Sequence, residues 1–303
     1  MEQSGKAAAI ETVSRTLKKE QRTLTLRKIK ANKGLLVGGF VFLLLLVLVV
    51  FAPALTGFDP YEMKVASRLM PPSAEHLMGT DEFGRDLFTR ILYGGRSSIG
   101  IGVLVAFFSS VFGLAIGVYA SYFRVLDHIF MRICDGFVSI PGVLLAIALM
   151  AALGASGQNV VIALTIVFTP NIARVVRSGA LVVREQPYIE AVRLQGAGHL
   201  RTIWGHIVPN VLSPLIVQAT FVFAETLLSE AALSFLGAGI PAPAPSWGNI
   251  LQASKLVIYK AWWMVVFPGL AIILAVFSLN LLGNGLRDLF DPRATRVKKK
   301  KRK

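Results

Sequence analysis

Arg177-Ser-Gly-Ala-Leu-Val-Val-Arg184-Glu-Gln-Pro187-Tyr188-Ile189-Glu190-Ala191-Val192-Arg193-Leu-Gln-Gly196-Ala-Gly198-His199-Leu-Arg201-Thr-Ile-Trp204-Gly-His206-Ile-Val-Pro209-Asn210 is a polar interruption in a greasy chain. Apolar runs long enough to cross a bilayer lie on both sides of it, so the interruption must stand outside the lipid. Its arginines assign it to the cytoplasmic side. Pro187 suits the first position of a short helix, where a missing N–H costs nothing. Gly196 and Gly198 then break that helix. Leu200, Ile203, Trp204 and Ile207 recur at i, i+3, i+4, i+7, which predicts a second amphipathic turn closed by Pro209. A helix, a glycine bend and a second helix at the base of a membrane bundle form a shape suited to docking another protein.

The composition agrees with a membrane protein. The chain has 303 residues, of which 54% are hydrophobic and 16% charged, with a mean hydropathy of +0.62. A soluble domain carries about 25% charged residues, and helices are the expected spanning element. Besides the run at 34–57, apolar runs occur at about 99–122, 129–153, 160–176, 211–236 and 262–282, which predicts six spans. The first run follows a long basic leader and is itself too long for a cleaved signal, so it is expected to stay as a signal anchor.

Alternating the loops places 25 of the 32 Lys and Arg residues inside. That distribution predicts both termini in the cytoplasm. Net charge +15 raises nucleic acid as a partner. The basic residues instead cluster at helix ends and tails, which excludes a nucleic-acid groove and fits anionic lipid at the terminal run 296–303. The organisation expected is a basic tail (1–33), a first span (34–57), an outer connector (58–98), a five-span core with the docking loop at 177–208 (99–285), and a second basic tail (286–303). Within the connector, Asp86 and Arg90 at i, i+4 predict a short interfacial helix. Gly113/Gly117 and Gly34/Gly38 mark close helix packing.

Chemistry is conspicuous by what is missing. No phosphate-cradling G-x-x-x-x-G-K-[ST] occurs, nor G-x-S-x-G or H-E-x-x-H. The four histidines are dispersed, and the single Cys134 excludes a disulfide or a cysteine metal site. No cofactor or metal is therefore expected on this chain. Intramembrane acids are few. Glu225 and Glu230 stand five residues apart, about 140° around a helix, so both cannot face one pore. Glu225 is the candidate for the translocation pathway and Glu230 for a buried architectural bond. The proline-rich stretch Gly237–Trp247 reads as a stiff outer loop, with Pro241, Pro243, Pro245 and Trp247 as candidate partner contacts.

Glu190-Ala191 followed by Gly196, then His206-Ile-Val-Pro209-Asn210, resembles the EAA loop of ATP-binding-cassette importer permeases. His76-Leu-Met-Gly79-Thr80-Asp81-Glu-Phe-Gly84-Arg85-Asp86, Glu230-Ala-Ala-Leu-Ser-Phe-Leu-Gly237 with Trp247-Gly248, and Gly285-Leu-Arg287-Asp288 are similar to the dipeptide, oligopeptide and nickel group. The likeness runs from about Leu35 to Pro292, and Ala191-Val192 departs from the group's Ala-Ala pair.

The resemblance implies an all-α bundle of the type I importer kind (MetI-like) with an added N-terminal helix, in a bacterial inner membrane. It implies a second homologous permease, two ATPase subunits carrying ATP and Mg, and an extracytoplasmic binding protein, with a peptide or similar small polar solute as cargo. Tyr188, Ile189 and Val192 are then expected to insert into the ATPase, with Glu190 and Arg193 at the rim and Ala191, Gly196, His206 and Pro209 shaping the loop. A stand-alone ion-coupled transporter is the principal alternative, set back by the scarcity of intramembrane acids and the lack of an internal repeat. A membrane-anchored enzyme lacks a reactive constellation, and a receptor or scaffold would use the docking loop without conducting solute.

Overall fold

A computed structural model describes residues 29–290, together with Thr23 and Arg27. Most of the N-terminal tail and the whole of 291–303 lie outside the described residues, including the terminal basic run. Among the described residues the fold is helical throughout, with no strand. Five helices are long and apolar enough to span a membrane: α1 (Lys33–Val50), α3 (Leu87–Tyr122), α6 (Gly157–Arg184), the helix running through α9 (Val208–Phe235) and α11 (Trp263–Phe290). A sixth crossing exists only as a broken pair, α4 (Arg124–Val138) and α5 (Gly142–Leu153), bent by 92°. Residues 129–153, expected as one span, therefore turn a corner. Ser139-Ile-Pro141 separates the two helices, and proline removes an N–H while disfavouring a helical residue before it.

Small residues set the closest approaches. A Cβ on Gly113 would stand 2.6 Å from Ile172 Cγ2, and one on Gly117 would stand 2.5 Å from the carbonyl oxygen of Ala173. This pair lets α3 and α6 lie backbone against backbone, where dispersion contacts and short carbonyl dipoles hold them. Gly38 does the same for α1 on α11, with a Cβ there 2.7 Å from the Ser278 carbonyl oxygen. Gly34, its partner in the sequence pattern, has looser neighbours. At the end of the bundle where α1 begins, Asn32 Nδ2 donates to the Gly285 carbonyl at 3.4 Å. At the other end Arg96 Nε and Nη2 donate to the carbonyls of Val49 (2.8 Å) and Val50 (2.6 Å).

The connector between α1 and α3 holds a short helix α2 (Ala52–Leu55) and a folded cap. The expected interfacial helix at 86–91 is instead the first turn of α3. Asp86 is its N-cap, accepting from Thr89 N (2.8 Å) and Oγ1 (2.7 Å). Its other oxygen meets buried His76 Nδ1 at 2.9 Å. Arg90 does not pair with Asp86; it donates to the Pro60 carbonyl at 3.0 Å and faces Asp81 at 3.3 Å. Asp81 also accepts from Arg85 Nε at 2.6 Å. Trp263 Nε1 donates to the Thr80 carbonyl at 3.1 Å, which ties the cap to the start of α11.

Candidate functional site

The polar interruption folds into a bent handle at the end of the bundle opposite the cap. α6 runs unbroken through Arg174 and Arg177 to Arg184, so the handle proper begins at Gln186. α7 (Pro187–Leu194) has proline at its N-terminus. Gly196, at φ +82, then reverses the chain, a backbone state that glycine adopts without steric cost. α8 (His199–Thr202) follows, and a π-helical turn at Ile203–Ile207 feeds directly into α9. Pro209 thus does not close the amphipathic turn. It stands in the first turn of α9, directly after the π-helical turn, and the helix runs on through it.

The handle is fixed to the bundle by aromatic and apolar contacts. Tyr122 Oη and His199 Nδ1 are 2.9 Å apart, Trp204 Nε1 donates to Tyr119 Oη at 3.3 Å, and the Arg193 guanidinium lies 4.8 Å from the centre of the Tyr122 ring. Phe123 packs edge-on against His199. Asn210 Nδ2 bridges the His206 carbonyl (2.7 Å) and Tyr188 Oη (3.2 Å), joining α7 to α9. Ile189 is 0% exposed and packs in the core cluster that also holds Ile203, Ile207, Val211 and Val176.

That burial corrects one expectation. Ile189 faces the chain's own bundle and so does not insert into a partner, while Val192 is half covered. The helical period explains it: Ala191 and Leu194 lie on the face opposite Ile189. Leu194, 84% exposed, is the outward apolar residue that sequence patterning passes over, and Tyr188, Leu200 and Trp204 are exposed on the handle as well. Glu190, Ala191, Arg193, Gly196 and Pro209 are exposed and His206 is half-buried. Tyr119, Tyr122 and Phe123 were also missed. Their cluster at the end of an apolar run is the signal, since aromatic side chains gather at membrane interfaces.

The two acids of α9 separate as their spacing requires. Glu230 is fully buried and accepts from Ser98 Oγ and Ser234 Oγ, both at 2.8 Å. Ser98 Oγ in turn accepts from Trp247 N at 3.3 Å, so one carboxyl links α3, α9 and α10 (Trp247–Ser254). Glu225 stands exposed on another face of α9. Gln218 and Phe221 share that face, and with Pro214 and Arg287 they line a crevice of about 460 Å³ between α9 and α11.

The outer-loop expectation is half corrected. Pro241 and Pro243 are exposed, but Pro245 is buried and Trp247 is 1% exposed. Trp247 Nε1 donates to the Ile91 carbonyl at 2.9 Å, and the ring fills the space left by Gly95. Trp247 is a core residue, and the loop before it folds into turns instead of extending.

Among the described residues no cluster of His, Cys, Asp or Glu is placed to hold a metal ion.

The family described as "Binding-protein-dependent transport system inner membrane component" matches residues 98–296, and the "N-terminal TM domain of oligopeptide transport permease C" matches residues 21–72. A putative peptide transport system permease protein of Brucella abortus biovar 1 (strain 9-941) is 46% identical over 270 residues, covering 89% of this chain and 91% of its own. The dipeptide transport system permease protein DppC of Alkalihalophilus pseudofirmus is 44% identical over 268 residues, covering 88% of each chain. Its namesake in Escherichia coli (strain K12) is 41% identical over 271 residues, covering 87% and 90%. The MetNI methionine ABC transporter, solved in inward-facing conformations, has a chain that superposes with a TM-score of 0.57 at 21% identity, over 66% of this chain and 96% of that one. That likeness gives the fold: a MetI-like type I bundle, here with an added N-terminal helix. The chain belongs to the family of binding-protein-dependent transport system inner membrane components.

Proposed function

We propose that this chain is one of two permease subunits of an ATP-driven peptide importer and that α7 is its coupling helix. Substrate is a peptide or a similarly small polar solute, as the names of the relatives indicate for those proteins. ATP and Mg are held by two separate ATPase subunits, and an extracytoplasmic binding protein delivers cargo at the cap end. Both termini and the handle face the cytoplasm, and lipid surrounds the remaining bundle faces.

The rigid seating of the handle carries this reading. A coupling element must transmit displacement, and switching a two-state bundle from 1:99 to 99:1 needs a bias of about 5.5 kcal/mol. Buried Ile189, the Arg193 guanidinium over the Tyr122 ring and the Tyr188–Asn210 bridge join α7 to α3 and α9. Movement of α7 therefore moves two spans. Ala191, Leu194, Tyr188 and Trp204 meanwhile offer a surface of small and apolar residues for an ATPase groove, rimmed by Glu190 and Arg193. Beside that rim lies a polar crevice of about 350 Å³ lined by Tyr122, Arg184, Gln186 and Glu190, room enough for one polar side chain of a partner.

Glu225 is the pathway acid in this assembly. A carboxyl exposed on a spanning helix cannot face lipid cheaply, so its face belongs to water or to a protein neighbour. The test is affinity capture of the tagged chain from its own membrane, followed by identification of co-purifying subunits. An ATPase and a second permease are expected in stoichiometric yield. Recovery of the chain alone, with gradient-driven uptake after reconstitution, overturns the proposal.

A further inference from the structure

The broken span offers an inference about how the assembly is built, resting on the importer reading above. Gly142, at the start of α5, lies against α6, where a Cβ on it would stand 3.1 Å from Val167 Cγ1. Val167 is ten residues, about 15 Å, from the start of α6 at Gly157, and about 25 Å from its end at Arg184. The corner between α4 and α5 therefore sits at bilayer depth. Every residue from Asp135 to Leu144 is exposed. The carbonyls of Ser139 and Ile140 accept no hydrogen bond among the described residues. No side chain caps the N-terminus of α5.

Hydrocarbon cannot cover such a corner, because lipid offers no partner for free backbone groups; irregular backbone at membrane depth persists only against protein or beside water. Water is the poorer cover, since Phe137, Val138, Ile140, Val143 and Leu144 project from the corner. An exposed ion pair, Arg174 Nη2 with Asp135 Oδ1 at 2.7 Å, marks the edge of this apolar patch on the side of the handle. A helix of another membrane chain satisfies both demands: apolar area for the side chains and donors for the carbonyls. We infer that the Ser139–Pro141 corner is the seam on which the second permease subunit packs.

A photo-reactive benzophenone amino acid placed at Ile140, and separately at Phe40 on the outward face of α1, tests this in the complete complex in native membrane. Both positions are exposed, so neither probe disturbs a core. Irradiation at Ile140 is expected to shift the chain to a band of the summed mass of the two permeases, whereas Phe40 gives lipid adducts. In parallel, Ile140→Cys in a Cys134→Ser background is expected to resist a membrane-impermeant maleimide in the complex and to react when the chain is purified alone in detergent. Lipid adducts at Ile140, or equal maleimide labelling in both states, overturn the seam while leaving the importer reading intact. Absence of any second permease from the captured complex overturns both.

Discussion

Two residues on opposite faces of α7, Ile189 and Leu194, separate what holds the handle from what it offers. Ile189→Ala opens a cavity in the core, and such truncations cost about 2–5 kcal/mol. The purified chain should lose thermal stability measurably by tryptophan fluorescence. Leu194→Ala removes a side chain that is 84% exposed and should leave stability within about 0.5 kcal/mol, yet it should weaken ATPase association in pull-down titrations. Glu230→Ala leaves the Ser98 and Ser234 hydroxyls without their acceptor and should destabilise more than Glu230→Gln, which keeps one carbonyl oxygen in place. In the cap, burial is the main cause that pushes the Glu82 carboxyl above the usual carboxylate range, and one of its oxygens has no partner among the described residues. A raised folded pKa means the folded state holds the proton more tightly than the unfolded state, so the contribution is favourable at low pH and is lost as pH rises through the folded value. Glu82→Gln should flatten that slope in thermal melts above pH 4.5, the unshifted value. The opposition of Glu225 and Glu230 was legible from spacing alone. The inward turn of Ile189 was not, because an eight-residue helix with apolar residues on several faces does not declare which one meets its own core.

At the scale of elements, Pro187 at a helix start and Gly196 at a reversal were legible because each restricts or frees φ by itself. Continuity was not. α3 begins at Leu87, twelve residues before the apolar run, because Asp86 caps it; and α9 is fed by a π turn that no propensity announces. The broken pair is hidden for a related reason: hydropathy averages over the corner at Ser139–Pro141 and sees one span. The π turn makes its own prediction. Val208 N reaches back to the Ile203 carbonyl, one residue further than an α-helix does. Deleting Gly205, which has no neighbour within 4 Å of a Cβ position, should restore α-helical register and rotate α7 by about 100° relative to α9. Membrane insertion should persist while substrate-stimulated ATP hydrolysis is lost; retained stimulation would mean that α7 needs no fixed orientation. Gly196→Ala keeps the register but forces a left-handed alanine, at roughly 1–2 kcal/mol, and should reduce coupling less than the deletion.

For the whole molecule, the start of α1 and the end of α11 meet at Asn32 and Gly285, and Arg287 shares a crevice with Val175 and Ser213 near the handle. The start of α1, the end of α11 and the handle thus occupy one end of the bundle, as an even number of crossings requires. The spans and their shared end were legible because bilayer thickness imposes a length on apolar runs and an even number of runs returns the chain to the end from which it started. What each exposed face meets was not, since Leu194, Glu225 and the Ser139–Pro141 corner face surfaces that this chain alone does not supply. The account turns on the handle being gripped by an ATPase, and the most direct measurement is a disulfide or bismaleimide cross-link from Leu194→Cys, in a Cys134→Ser background, within the complete complex in sealed vesicles of known orientation. A cross-link to an ATPase subunit, with reactivity only from the cytoplasmic face, is the predicted result; labelling of Leu194→Cys from the opposite face, or an ATPase-containing complex in which that cysteine never joins the ATPase, would contradict it.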